Sequence, residues 1–320
     1  MLRVARRVLH GLVLLFGVSV LTFALLSAAP GNLFDELRLN PQISPETVTA
    51  LKAEYGVDRP WLTRYAYWTS SALRGDFGYS LSYRCMVGKL LWPRVRNTLL
   101  LTVLATLLSW VIAIPWGMFE ALRRSQWVDR LGGGITATLL AIPELVLGLL
   151  LLLLAARTGW FPAGGMLSTN AGDATVARNA WDLVRHLMLP VIALALGSAP
   201  LLIRYVRSAI ASVMDMPFVE IAHGHGISSW RIVFRHALPA AANSLISLFG
   251  FSIGTLLSAS LLIEIILSWP GLGPLVLEAM LARDTYVVMA VVMLSSVFLI
   301  LGNALADVLL YWSDPRIRAV

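Results

Sequence analysis

The chain has one cysteine, Cys85, only two lysines, Lys52 and Lys89, and little charge of either sign, with 13% of its 320 residues charged. Each shortage excludes something. A lone cysteine makes no internal bridge, so this is not a disulfide-stapled scaffold. Neither lysine stands in a G-x-x-x-x-G-K-[ST] loop, so the chain does not cradle a nucleotide by that route. Neither H-E-x-x-H, nor G-x-S-x-G, nor a paired-carboxylate arrangement is present to support a membrane-embedded enzyme. A soluble domain carries about 25% charged residues and is roughly half apolar. Here 58% of the residues are hydrophobic and the mean hydropathy is +0.76. The net charge of +7 invites a nucleic-acid reading, but in so apolar a chain the placement of the charges decides their meaning. The class is a polytopic membrane protein, all-α.

Six apolar stretches are long enough to cross a bilayer, which needs about 20 residues each. They run over Val8–Ala29, Thr98–Leu122, Leu131–Ala156, Leu187–Ile210, Ala240–Leu267 and Tyr286–Trp312. The first follows Arg3, Arg6 and Arg7 and ends at Ser27-Ala28-Ala29, which has the outline of a signal peptide. It exceeds the roughly 7–15 residues of a signal core, so a retained helix is expected. An even number of spans puts both termini on one side. Arg123, Arg124, Arg130, Arg204, Arg207, Arg231, Arg235, Arg316 and Arg318 fall on the same side as the N-terminal arginines, and short-loop positive charge marks the cytoplasm. Pro30–Arg96 is too long to obey that rule and mixes acids with its bases, so it reads as a translocated external module. Two units follow: residues 1–96, a helix plus this module, and residues 97–320, a five-helix core containing the loop 215–239.

Within the external module, Tyr55–Pro60 and Arg74–Gly78 supply the Gly, Asp and Pro of tight turns. Trp61, Tyr65, Tyr67 and Trp68 between them have roughly helical spacing. An amphipathic helix resting on the membrane interface and a docking surface for an external partner both fit this pattern.

The loop between the fourth and fifth spans carries the strongest local signals. Asp215 followed by Pro217 is a helix start, and Phe218, Ile221 and Ala222 form an apolar stripe. Gly224 and Gly226 stop that helix, since glycine takes positive φ freely. Ser228 or Ser229 caps a second helix holding Trp230, Ile232, Val233 and Phe234, expected to end at Pro239. Two short helices with a glycine elbow suit a groove on another protein.

Glu220-x-Ala222, then Gly226, then Leu238-Pro239 resemble the EAA loop of ABC importer permeases, with Ile221 and His236 as departures from the motif. Leu73-Arg-Gly-Asp-Phe-Gly-Tyr-Ser80, Gly159-Trp-Phe-Pro162, Ser268-Trp-Pro-Gly-Leu-Gly273 and Asp314-Pro-Arg-Ile-Arg318 are similar, in the same order, to the dipeptide, oligopeptide and nickel class. The long module after the first span points to its first, B-type, subunit. The resemblance implies a permease subunit of an ATP-driven importer in a prokaryotic plasma membrane, moving short peptides or, alternatively, nickel chelates or another small solute. Its implied partners are a second permease, two cytoplasmic ATPase subunits that hold the ATP and Mg, and an external solute-binding protein. No cofactor is expected on this chain. Phe218, Glu220, Ala222, Gly226, Leu238 and Pro239 would contact the ATPase. Asp76, Trp269, Pro270 and Gly271 would face the binding protein. A secondary transporter is the rival reading; it would show internal repeats and helices broken at the midplane, and no clear repeat is visible.

Acids inside spans are costly. Glu144, beside Pro143 in the third span, and Glu264, near the outer end of the fifth, are candidates for a polar substrate pathway or for bonds between helices. Asp307 is expected to bond to a neighbouring helix, and Glu120 to pair with Arg123 and Arg124. His223 and His225 stand two apart, which on a helix turns them to different faces, and His10, His186 and His236 add no ligand spacing. No metal site is expected. Pro115, Pro143, Pro190 and Pro200 interrupt helical bonding within spans and are candidate kinks.

Overall fold

The computed structural model describes residues 2–29, 44, 46, 49, 59–123, 126–168 and 176–313. The terminal Asp314–Arg318 motif, Arg124 and most of the segment between Pro30 and Asp58 lie outside the described residues. The chain divides into two compact units, one of residues 1–96 and 271–298, the other of residues 97–270 and 299–320. Residues 271–298, grouped with the core in the sequence reading, therefore belong with the N-terminal segment.

In the first unit, α1 (Leu2–Ala28) is a long apolar helix whose Leu9, Leu12, Val13, Phe16, Leu21 and Leu25 are exposed. So large an uncovered apolar face is untenable in water and natural in hydrocarbon. Its inward Phe23 is fully buried with Trp68 and Met289. The ring of Phe23 meets Tyr65 edge-on at 5.5 Å, and Ser19 Oγ shares a 2.7 Å hydrogen bond with the Tyr65 hydroxyl. These contacts fix α2 (Trp61–Ala72) by its aromatic side. A two-residue hairpin follows, β1 (Tyr79–Ser80) and β2 (Cys85–Met86), antiparallel with Ser80 opposite Cys85.

The second unit holds the long helices between Asn97 and Pro270. After α3 (Val87–Leu122) come α4 (Gln126–Ala141), α5 (Glu144–Thr158) and the 39-residue α6 (Val176–Met214). Then α7 (Pro217–Gly224) and α8 (Ser229–Ile232) lead through a π-helical turn, Val233–Ala237, into α9 (Leu238–Ile266). The chain closes with α10 (Leu272–Leu281) and α11 (Thr285–Ser313). Buried residues of α6 recur three or four apart (Leu202, Val206, Ile210, Val213), the helical period of one inward face. They pack with Trp110 and Ala113 of α3 and with Val233, Ala237, Ala241 and Leu245. A second cluster joins Leu101 and Ala105 to Leu189, Ala193, Leu256, Ile263, Leu267 and Trp269. Hydrogen bonds between Ser109 and Ser198 (2.7 Å) and from Trp110 Nε1 to Ser252 Oγ (3.0 Å) tie the helices across these apolar contacts.

Among the described residues five helices are long and apolar enough to cross a membrane, and the third expected span is a bent pair. Arg130–Ala141 and Glu144–Thr158 meet at 98°, where a single helix was expected. Pro143 is the cause. It lacks an N–H and drives the preceding residue away from helical geometry. It sits at φ −58° and ψ 142° before α5, while Ile142 N–H reaches back only to Leu139 O at 3.3 Å. By contrast α6 runs unbroken through Pro190 and Pro200, both buried.

Candidate functional site

The loop 215–239 stands on a buried base. Ile232, Val233 and Ala237 are fully buried, and the last two pack with Val206, Ile210 and Val213 of α6. Above that base the apolar residues turn outward. Met216, Phe218, Ile221, Trp230 and Phe234 are exposed; the inward residue of α7 is Val219, not the expected stripe of Phe218, Ile221 and Ala222. Trp230 and Phe234 stack at 5.8 Å and 22°, and the rings of Phe218 and His236 form a T-shaped pair at 6.2 Å. Glu220, Arg231 and Arg235 are exposed around these rings.

Gly226 closes α7. Its φ is +74°, Ile227 N–H donates to Ala222 O at 3.1 Å and Gly226 N–H to His223 O at 2.9 Å. This is a Schellman cap, in which glycine takes the left-handed position and two end carbonyls are satisfied. Ala222 thus supplies an acceptor carbonyl. Gly224 is the last residue of α7 and has ordinary helical φ, so one glycine makes the elbow. His225 Nδ1 lies 2.8 Å from Ile221 O.

The second loop helix does not stop at Pro239 as expected. Proline in a continuous α-helix would leave the carbonyl four residues back without a donor and would clash with it. Here the chain widens by one residue per turn: Leu238 N–H donates to Val233 O, a π-helical bond. Pro239 then takes a first-turn position of α9, where no N–H is needed.

In the turn Ser268–Gly273, offered above as a contact for an external binding protein, the side chain of Trp269 points into the fold. It is fully buried; its Nε1–H donates to Asn97 O at 3.1 Å, and Asn97 Nδ2 donates to Pro270 O at 2.8 Å. A buried tryptophan needs an acceptor for its one donor, and the Asn97 carbonyl supplies it. Gly271 is also buried and Pro270 half-buried. Ser268 holds the turn at φ +52°, and Trp269 N–H caps Glu264 O at 2.8 Å. Glu264 itself is fully buried. Glu120 is nearly as buried and accepts from Trp116 Nε1 at 2.8 Å.

Glu144 differs. It begins α5 at the break after Pro143 and is exposed. A Cβ placed on Gly197 of α6 would meet its Cγ at 3.5 Å.

Asp76 is exposed, and its Oδ1 accepts from Gly78 N–H at 2.9 Å, making the turn that precedes the hairpin. The hairpin carries a cluster the sequence reading missed. Asp284 is buried, accepts from Ser80 Oγ at 2.6 Å and Ser82 N–H at 3.4 Å, and caps α11 by accepting from Val287 N–H at 3.3 Å. An acid just before an apolar helix is a legible cap signal. The bond from the Tyr83 hydroxyl to Glu278 had no such signal, since the two lie 195 residues apart. Burial, then that bond and the charge of Glu278, push the Tyr83 phenol up to about 12.

Two family descriptions match the chain. "Binding-protein-dependent transport system inner membrane component" covers residues 113–319, and the corresponding N-terminal description covers residues 1–102. The oligopeptide transport system permease protein AppB of Bacillus subtilis is 35% identical over 98% of both chains. OppB of Mycobacterium tuberculosis is 32% identical over 98% of both. The dipeptide permease DppB of Escherichia coli is 32% identical over 94% of both. Among solved structures, an inward-facing form of the MetNI methionine ABC transporter shares the fold, with a TM-score of 0.55 at 19% identity over 70% of this chain and 96% of that one.

Proposed function

This chain belongs to the family of inner-membrane components of binding-protein-dependent transport systems, and from that premise we propose that it forms half of the channel of an ATP-driven importer of short peptides. The second half is another permease of the same family. The exposed rings of Phe218, Trp230 and Phe234, with Ile221, enter a groove on a cytoplasmic ATPase in the manner of a short amphipathic helix. Glu220, Arg231 and Arg235 form the charged rim, and ATP and Mg belong to the ATPase pair. Because Val233 and Ala237 pack on α6, movement of the loop is transmitted to α6 and α9. Leu238 and Pro239 hold the junction.

The positive charge of Arg123, Arg130, Arg204, Arg207, Arg231 and Arg235 supports a cytoplasmic loop side. The opposite side receives peptide from a solute-binding protein, with exposed Leu73, Arg74 and Asp76 as its contacts. The substrate class rests on relatives named for oligopeptides and dipeptides. What carries the coupling role is the exposed aromatic cluster on a buried base at residues 215–239. Its test is purification of the tagged chain from its native membrane in mild detergent. An ATPase and a second permease are expected to accompany it, and substitution of Phe218 and Trp230 by Ala is expected to release the ATPase. A lone chain that transports by itself would overturn the reading.

A further inference from the structure

The break between α4 and α5 lies where polar groups are hardest to keep. Its two arms, Arg130–Ala141 and Glu144–Thr158, are roughly 18 and 22 Å long at about 1.5 Å per residue. Neither alone crosses about 30 Å of hydrocarbon, so bent span or re-entrant hairpin alike carries the break to membrane depth. There Ala141, Pro143 and Glu144 are exposed. Among the described residues the Glu144 carboxylate has no hydrogen-bond or ion partner.

Irregular backbone at that depth is tolerated only where it is covered by protein or lines water, and a carboxylate there marks a pathway by default. Glu144 sits at the N-terminus of α5. The other arm ends at Ala141, so the last carbonyls of α4 come to the same place; Leu139 O accepts from Ile142 N–H, and the others lie beyond the reach of helical donors. A carboxylate beside helix-end carbonyls is a receptor for a cation with several N–H donors. The neighbouring wall is flat, because Gly197 has no side chain to crowd the Glu144 stem.

We propose that Glu144 and the carbonyl end of α4 receive the N-terminal ammonium group of the translocating peptide, which rests on the importer reading above. Free-amine peptides then bind through an ion pair that an acetylated N-terminus does not make.

The test uses the whole complex with its binding protein in proteoliposomes and two probes, trialanine and N-acetyl-trialanine. Glu144→Gln is expected to raise the KM for trialanine about tenfold, to leave uptake of the acetylated peptide unchanged, and to be rescued largely by Glu144→Asp. An equal loss for both peptides, or no loss, overturns the assignment. A second arm uses the single native thiol. In a Cys85→Ser background, Glu144→Cys is expected to react with a trimethylammonium methanethiosulfonate, and trialanine is expected to slow that reaction. A thiol that stays unreactive is covered by lipid or protein, and the proposal fails. If the wild-type complex takes up neither peptide, the importer reading fails, while the labelling arm still decides whether position 144 faces water.

Discussion

Gly226 is the residue at which the proposed coupling role depends most directly on local geometry. A Cβ added there meets nothing within 4 Å, but the φ of +74° penalises any other residue by about 1–2 kcal/mol. Gly226→Ala therefore tests the backbone alone, and a drop of about 1 kcal/mol in unfolding free energy is expected. Gly226→Arg adds a long charged chain at the elbow of the loop. It is expected to reduce ATP-driven uptake at least tenfold while membrane insertion is kept, measured by transport beside quantitative immunoblotting. Full transport by Gly226→Arg would remove the loop from the coupling path. Tyr83 makes a different prediction. Its phenol is raised to about 12, so the folded state holds the proton more tightly than the unfolded chain does. The stabilisation is complete below about pH 10, the ordinary tyrosine value, and is lost as pH rises towards about 12. In ultraviolet titration, the increment missing from Tyr83→Phe should fall well above about pH 10, the ordinary tyrosine value. Gly226 was legible as a glycine stop after an apolar stripe; the partnership of Tyr83 with Glu278 was not, because nothing local encodes a contact across 195 residues.

At the scale of elements, proline shows what a sequence can and cannot announce. Pro143 separates two helices by 98°, Pro190 and Pro200 lie buried in one continuous helix, and Pro239 follows a π-helical turn. The missing N–H is the same each time. Neighbouring helices decide the outcome, so span existence was legible and span continuity was not. Close helix packing follows the same logic. Gly250 and Gly254 of α9 face the second-unit part of α11, where an added Cβ would lie 2.1 Å from the Ala306 Cβ and 2.0 Å from Leu299 Cδ1 respectively. Small residues four apart let two helices approach without lipid between them. Gly250→Val is expected to cost about 1–3 kcal/mol by overpacking, seen as a lower melting temperature in detergent. Gly133→Ala, which meets nothing within 4 Å on α4, is the control and should stay within about 0.5 kcal/mol.

For the whole molecule, scarcity of charge and abundance of apolar residues were enough to identify a membrane protein, because hydrocarbon leaves few alternatives to spanning helices. The helix, glycine elbow and second helix around Gly226 were legible, since capping and proline chemistry is local. The motif around Trp269 was legible as a turn but not as a buried one; only the tertiary structure brings Asn97 to its indole. The grouping of residues 271–298 with the N-terminal unit was hidden for the same reason. The proposed importer draws its energy from a partner ATPase, and this requirement gives the most direct test. The chain is reconstituted with its second permease and ATPases in proteoliposomes, and entry of labelled trialanine is measured with and without ATP and the binding protein. Uptake that requires both ATP and the binding protein is the predicted result; uptake that proceeds without ATP, driven by an ion gradient alone, would contradict the account.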